Sequence, residues 1–494
     1  MEGLTILLCI ALSIPLIIVS LNRHGRKNHP PGPPALLFMA KMLLQRGPIY
    51  HFGSILRSLH ARYGPIISVS LGRTFVFVAD RRLAHSALIK GGGNFDSRPP
   101  PSDMFQLFLG GSMAASPLGA YFRLVRRNLH SQALHPSRVR LFASERQRVC
   151  AALVGSLRRQ RDGEGIVTVR PLLGRCMFDV LTCMCFGVRL GQDALDDLFQ
   201  MQLQISDAVS RFPVLEGIFF YDMAKWLWRR RWLALRERQK ELMLPLIRAP
   251  RVQGDQGVLR CYADSLLELR VPEEGDRPLT EEEMVGLCSE FMIASMDTSL
   301  ALFEWIMADM VNHPEVQAKV YEEVRGKPEL TDDVLRGGGT PMPYLKAIVM
   351  EGLRMHPVAH LVFFHGVQND AELGGYTVPK GADINFLIGD LGLDDTVWPA
   401  AREYRPERFL DDHEEVDITG SKEIKMAPFG AGRRMCPGYV LATLHAEYFI
   451  GSLVREFQWL PPPRVTVDMT EELAVAINMK HPLRARIIPR DMKQ

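Results

Sequence analysis

The longest uninterrupted helical pattern in the chain, Thr280 to Asn312, limits the possible fold more than any other stretch. Thr280 is a good N-cap with Glu283 three positions on as a capping box, and Glu281 and Glu282 complement the positive end of the helix dipole. Roughly thirty residues rising 1.5 Å each make a rod of about 45 Å, the width of a whole domain. Its middle, FMIASMDTSLALFEW from Phe291 to Trp305, is apolar nearly all round, so the rod has to cross a core. Asp297 and Thr298 then fall at a buried midpoint, where an unsatisfied carboxylate is expensive. A threonine bonded back to the carbonyl four residues earlier, beside a satisfied aspartate, is one reading of that pair; a functional pair is the other.

Most of the remaining chain also reads as helix. Alternating runs at Ile66–Leu71 and Thr74–Ala79, either side of Gly72 and Arg73, predict a β-hairpin, and further strand signals come only at Leu361–Val367 and Tyr376–Phe386. The expected fold class is mainly α with small β-sheets. At 494 residues and 47% hydrophobic content the chain can bury a large core, and no repeat or low-complexity tract divides it. A net charge of +3 suits a membrane-facing protein and is too weak to suggest nucleic acid. Eight scattered cysteines point to a reducing compartment rather than a disulfide framework.

Gly3 to Leu21 carries no charge and is long enough to span a bilayer, with Arg23, Arg26 and Lys27 after it. A cleaved signal peptide would place its bases ahead of the apolar run. The expectation is a transmembrane anchor over 1–22, a basic and proline-rich hinge over 23–35, and one large domain over 36–494 held on the cytosolic side. Phe212 to Trp232, aromatic and rich in arginine, is a second expected contact with membrane lipid.

The second informative stretch is PFGAGRRMCPG, Pro428 to Gly438, directly ahead of a helical pattern from Tyr439 to Phe457. Pro437 suits a first helical turn, which places Cys436 at or near the N-cap, where free N–H groups and the dipole favour a thiolate. Zinc and iron–sulfur sites need further ligands at short spacing, and the loop has none. A nucleophile, a packed cysteine and an axial haem ligand all remain open on spacing alone.

FGAGRRMCPG resembles the haem-binding loop of the cytochrome P-450 superfamily, with Phe429, Gly432, Arg434, Cys436 and Gly438 at its fixed positions, in a form like that of plant microsomal members. The resemblance runs from Pro30 onward and implies the cytochrome P-450 fold as a single large haem domain. It implies haem b as cofactor, Cys436 as iron ligand, and Phe429, Gly430, Arg434, Arg126 and His365 around the cofactor, the last three as cations for its propionates. Phe122 stands where the family has tryptophan, which removes one hydrogen bond to a propionate. Asp297 and Thr298 match the acid–threonine pair that supplies protons for oxygen activation, although Ser295 replaces the usual glycine after Ala294. Glu351 and Arg354 with Arg408 of PERF match a structural ion-pair network.

The activity so implied is insertion of one oxygen atom from O2 into a lipophilic small molecule, in the endoplasmic reticulum membrane. Electrons would come from an NADPH–cytochrome P-450 reductase docked near Lys422, Lys425 and Arg433. A haem-thiolate isomerase or dehydratase, and a non-catalytic haem sensor, are the alternatives.

Overall fold

In the computed structural model the long rod is helix Glu281–Asn312, 32 residues without a break. Both halves of the expected capping box form: Thr280 accepts from the Glu283 N–H, and the Glu283 carboxylate accepts from the Thr280 N–H. The helix is long and apolar enough to cross a membrane, but 72% of its apolar stretch is buried inside the protein, as a core helix requires. The structure describes residues 28–35, 37–38, 41, 52–71, 73–160, 163–211, 219–249, 253–254, 257–258, 260–327, 330, 335, 342–410, 416–473 and 476–490. The expected anchor, residues 23–27 of the hinge and Phe212–Ile218 of the expected lipid contact lie outside them.

The chain divides into two compact units. The first takes in Met1–Pro99, Ala359–Ala401 and Val416–Met435. Its sheet has the order Ile66–Leu71, Arg73–Val78, Asp383–Phe386, His365–Gly366, antiparallel except for the parallel second pairing. The hairpin falls where the alternation predicts it. Alternation also divides the side chains: Val76, Val78, Ile384 and Phe386 enter one core cluster, while Ile67, Val69 and Phe77 enter another on the opposite face. The expected strand Tyr376–Phe386 is two strands, Tyr376–Val378 and Asp383–Phe386, in different sheets. Gly381, at φ +77°, turns the chain between them. The proline stretch lies against the first strand, with Ser68 donating from its N–H to Pro31 O at 2.8 Å and from its hydroxyl to Pro30 O at 2.7 Å.

The second unit takes in Pro100–Val358, Arg402–Glu415 and Cys436–Gln494. Its main helices are α1 (Ala120–Leu129), α2 (Val169–Phe186), α3 (Gln192–Arg211), α4 (Phe219–Ile247), α5 (Glu281–Asn312), α6 (Pro343–Met355) and α7 (Tyr439–Glu456). Along α5, Met292, Met296, Ala301, Phe303 and Ile306 are buried, and α2 packs along it with Met177, Leu181 and Phe186 buried in turn. A three-stranded antiparallel sheet, Phe457–Leu460, Arg484–Pro489, Ile166–Thr168, closes one side of this unit. At the start of α4, Trp228 and Leu233 are exposed beside Arg229, Arg230 and Arg231, whereas Trp232 turns into the core.

Candidate functional site

Helix α7 begins at Tyr439 with Gly438 as its N-cap, so Cys436 and Pro437 stand ahead of the first turn and not within it. Of the seven described cysteines six are buried, and Cys436 is exposed. Solvent reaches its side chain, yet protein encloses it closely enough that burial pushes the thiol up. The Gly438 N–H bonded to the sulfur and the nearby Arg126 guanidinium pull it down, but by less. The expected thiolate is therefore not secured by the helix end, because Cys436 lies before the cap.

Arg126, on α1, lies 5.8 Å over the ring of Phe122. Burial lowers its pKa and the sulfur of Cys436 raises it again, which places the two side chains in one electrostatic neighbourhood. On α5, the Thr298 hydroxyl donates to the Ala294 carbonyl at 2.6 Å, and the Ser206 hydroxyl donates to Asp297 Oδ2 at 2.5 Å. This is the back-bonded threonine and satisfied aspartate that the sequence left open. Ala294 is nevertheless exposed in the middle of a core helix, and Asp297 and Thr298 are only partly covered. Burial raises the Asp297 pKa, and the Ser206 hydrogen bond opposes it. Ser295 leaves the helix regular, with no bond to the Phe291 carbonyl among the described hydrogen bonds.

The first unit carries the rest of the cysteine loop. Gly430 and Gly432 have φ of +69° and +73°, and a Cβ on Gly432 would stand 2.3 Å from the Leu88 carbonyl oxygen, so only glycine fits there. Phe429 is half-buried ahead of them. Arg434 donates from Nε to Asp96 O at 2.7 Å, and Arg433 pairs with the Asp96 carboxylate at 3.1 Å. Asp96 is buried, and its pKa is raised by that burial against the pull of Arg433, Arg434 and Arg98.

The resemblance makes His365 a cation for a propionate. It is buried, bonded through Nδ1 to Phe95 O at 2.5 Å, and its pKa is lowered to about 3 by burial and by Arg98 and Arg434. Arg98 is the cation here that sequence reading passed over, and it donates to Phe363 O and Phe364 O at 3.1 and 3.0 Å. Asp96 and Ser206 were also missed; lone polar residues without motif spacing give no signal. Of the bases expected to dock a reductase, Lys422 is exposed, Lys425 is 3.4 Å from Glu423, and Arg433 is tied to Asp96.

The Glu351–Arg354–Arg408 network forms within the second unit. Arg354 meets Glu351 at 2.7 and 2.8 Å, and Arg408 Nε reaches Glu351 Oε1 at 3.1 Å. Among the described residues no group of three His, Cys, Asp or Glu could hold a metal ion. One accessible thiol in place of a multi-ligand cluster is the donor set that axial haem ligation uses, so the residues present fit that cofactor.

The comparisons agree. The cytochrome P450 family model matches residues 30–487. Cytochrome P450 89A9 of Arabidopsis thaliana is 37% identical over 481 residues, covering 93% of this chain and 94% of its own. Geraniol 8-hydroxylase of Catharanthus roseus is 28% identical over 512 residues, covering 98% and 99%. A zebra fish cytochrome P450 solved with abiraterone superposes with a TM-score of 0.71 at 21% identity, covering 89% of this chain and 99% of that one.

Proposed function

This chain belongs to the cytochrome P450 family of haem-thiolate monooxygenases, and from that premise we propose that it holds haem b through Cys436 and inserts one oxygen atom from O2 into a lipophilic small molecule. The observation that carries the reading is that Cys436, within the electrostatic reach of Arg126, is the one accessible thiol among the described cysteines, the other six being buried. Haem, when bound, supplies the oxygen-activating chemistry, and the chain supplies placement, a dry surround and protons. Arg126 and Arg434, with Phe429 and Gly430 in the loop, would hold the cofactor, and the negative charge of a propionate beside His365 would favour uptake of a proton from solvent by that ring.

Asp297 would move the protons. Its carboxyl is partly covered, its pKa is raised, and its bond to Ser206 is to a hydroxyl that can donate or accept. Thr298 keeps lone pairs free to accept while it donates to Ala294. Electrons would come from an NADPH–cytochrome P-450 reductase, with Lys422 and its basic neighbours as the docking face. The anchor over 1–22 and the hinge over 23–35 would hold the protein to the endoplasmic reticulum membrane, and exposed Trp228 and Leu233 among arginines suit a second lipid contact.

The test is reconstitution of the purified protein with reductase, screening NADPH consumption and product formation against a lipophilic metabolite extract. Substrate-dependent NADPH use with an oxygenated product is expected. Conversion of an oxygenated substrate without NADPH would support isomerisation or dehydration instead, and haem binding with no turnover in any fraction would support a sensor.

A further inference from the structure

Two rungs of hydrogen bonds, one buried and one partly buried, join α3 to α5. In the first, the Ser289 hydroxyl donates to Gln202 Oε1 at 3.0 Å, and Gln239 of α4 donates from Nε2 to Ser289 Oγ at 2.8 Å. Gln202, Ser289 and Gln239 are each 0% exposed. Gln239 in turn receives Arg236 at 2.5 Å, and Arg236 pairs with Glu282 at the exposed start of α5. This rung is neutral at its centre and ties three helices together.

The second rung is one turn further along α3, where Ser206, 4% exposed, donates to Asp297 Oδ2. It differs in kind. A neutral amide and a hydroxyl hold a fixed geometry, whereas a carboxyl group changes its hydrogen-bonding needs when it takes up a proton. A serine hydroxyl meets both needs, because it donates to the carboxylate and accepts from the carboxylic acid by rotating about one bond. No charged side chain among the described residues contributes to the shift of Asp297; burial raises it and Ser206 lowers it.

We infer that Ser206 is a positioning residue for Asp297, holding its carboxyl in one orientation through both protonation states and tying that orientation to the seat of α3 on α5. The inference rests on the proton-moving role proposed above for Asp297. It explains why a partly covered carboxyl partnered by a hydroxyl is placed beside a purely structural rung that already joins the same helices. It also makes the orientation of the acid depend on α3, so that any shift of that helix is felt at the carboxyl.

The test compares Ser206→Ala, Ser206→Thr and Gln202→Leu as haem-loaded proteins. The first readout needs no turnover: the carboxyl band of Asp297 in the infrared spectrum of the resting protein, assigned by its loss in Asp297→Asn and titrated with pH. Ser206→Ala is expected to move that titration upward, since the hydroxyl stabilises the ionised form, and Ser206→Thr to restore it. Gln202→Leu is expected to lower the unfolding temperature and leave the titration in place. The second readout is hydrogen peroxide released per NADPH, which should rise roughly tenfold in Ser206→Ala, about the worth of one hydrogen bond to a charged group. In an Asp297→Asn background the Ser206 change should add nothing. An unmoved titration in Ser206→Ala, or equal shifts from Ser206→Ala and Gln202→Leu, would overturn the inference. If the parent protein consumes no NADPH with any substrate, the monooxygenase reading fails, while the infrared titration still decides the place of Ser206.

Discussion

Glu351 and Asp297 are carboxylates on core helices of the same unit, and they are provided for in opposite ways. Glu351 is 0% exposed and meets Arg354 and Arg408 together with the backbone N–H of Arg405 at 2.8 Å. Asp297 meets one serine hydroxyl and no cation among the described residues, and burial raises its pKa. Guanidinium groups on several sides lock a carboxylate into a framework. A lone hydroxyl leaves it able to exchange a proton. The contrast separates a residue that shapes the fold from one that can work in it, although both are acids on apolar helices.

The sharpest way to break the comparison is to remove Glu351. Glu351→Ala leaves two buried guanidinium groups without their carboxylate, and a loss of roughly 3–5 kcal/mol is expected. Thermal unfolding and haem content would both show it, with little protein recovered in the cofactor-bound form. Retention of the parent's unfolding temperature would mean that the network is dispensable and that the two acids do not differ as described.

Asp297→Asn reverses the pattern. It removes an ionisable group whose charge burial opposes, so folding should be nearly unaffected, while product formed per unit time should fall by roughly a hundredfold, the lower range for a lost general acid. Thr298→Ala is expected to do less to the overall rate. It should still consume NADPH, yet yield less product and more hydrogen peroxide, a partition read by quantifying both against the parent. Equal partition in variant and parent would remove Thr298 from proton delivery and leave it a threonine that bonds Ala294.

The smallest expected effect is on stability against pH. Since folding raises the Asp297 pKa, the folded chain holds that proton more tightly than the unfolded chain. The group therefore stabilises at low pH, and this contribution is lost as pH climbs from the ordinary carboxylate range through the raised folded value. Asp297→Asn cannot ionise, so the difference in denaturant midpoint between parent and variant should move in the variant's favour over that interval. A difference that stays flat with pH would place the Asp297 carboxyl in ordinary solvent.

What the sequence made legible follows from range. The capping box at Thr280 and the hairpin at Ile66–Val78 are local and formed where spacing predicted them, and the Glu351–Arg354 pair three residues apart formed where the resemblance implied it. The cysteine loop was legible for the same reason, and it turns through Gly430 and Gly432 at positive φ. The state of His365 was not, because it depends on burial and on Arg98, whose approach no spacing announces. Ser206 was hidden likewise: its partner lies 91 residues away, and a serine on a helix has no periodicity that marks it. Cys436 does stand near the cap, two residues ahead of it, but Pro437, which reads as part of the first turn, precedes the helix because Gly438 takes the cap.

The central claim, that Cys436 holds haem as a thiolate, is tested most directly by the absorption spectrum of the purified protein reduced under carbon monoxide. The account predicts the strongly red-shifted band of thiolate-ligated haem in the parent and its loss in Cys436→Ala, since no second cysteine is exposed among the described residues to replace it. The same red-shifted band in Cys436→Ala would contradict it.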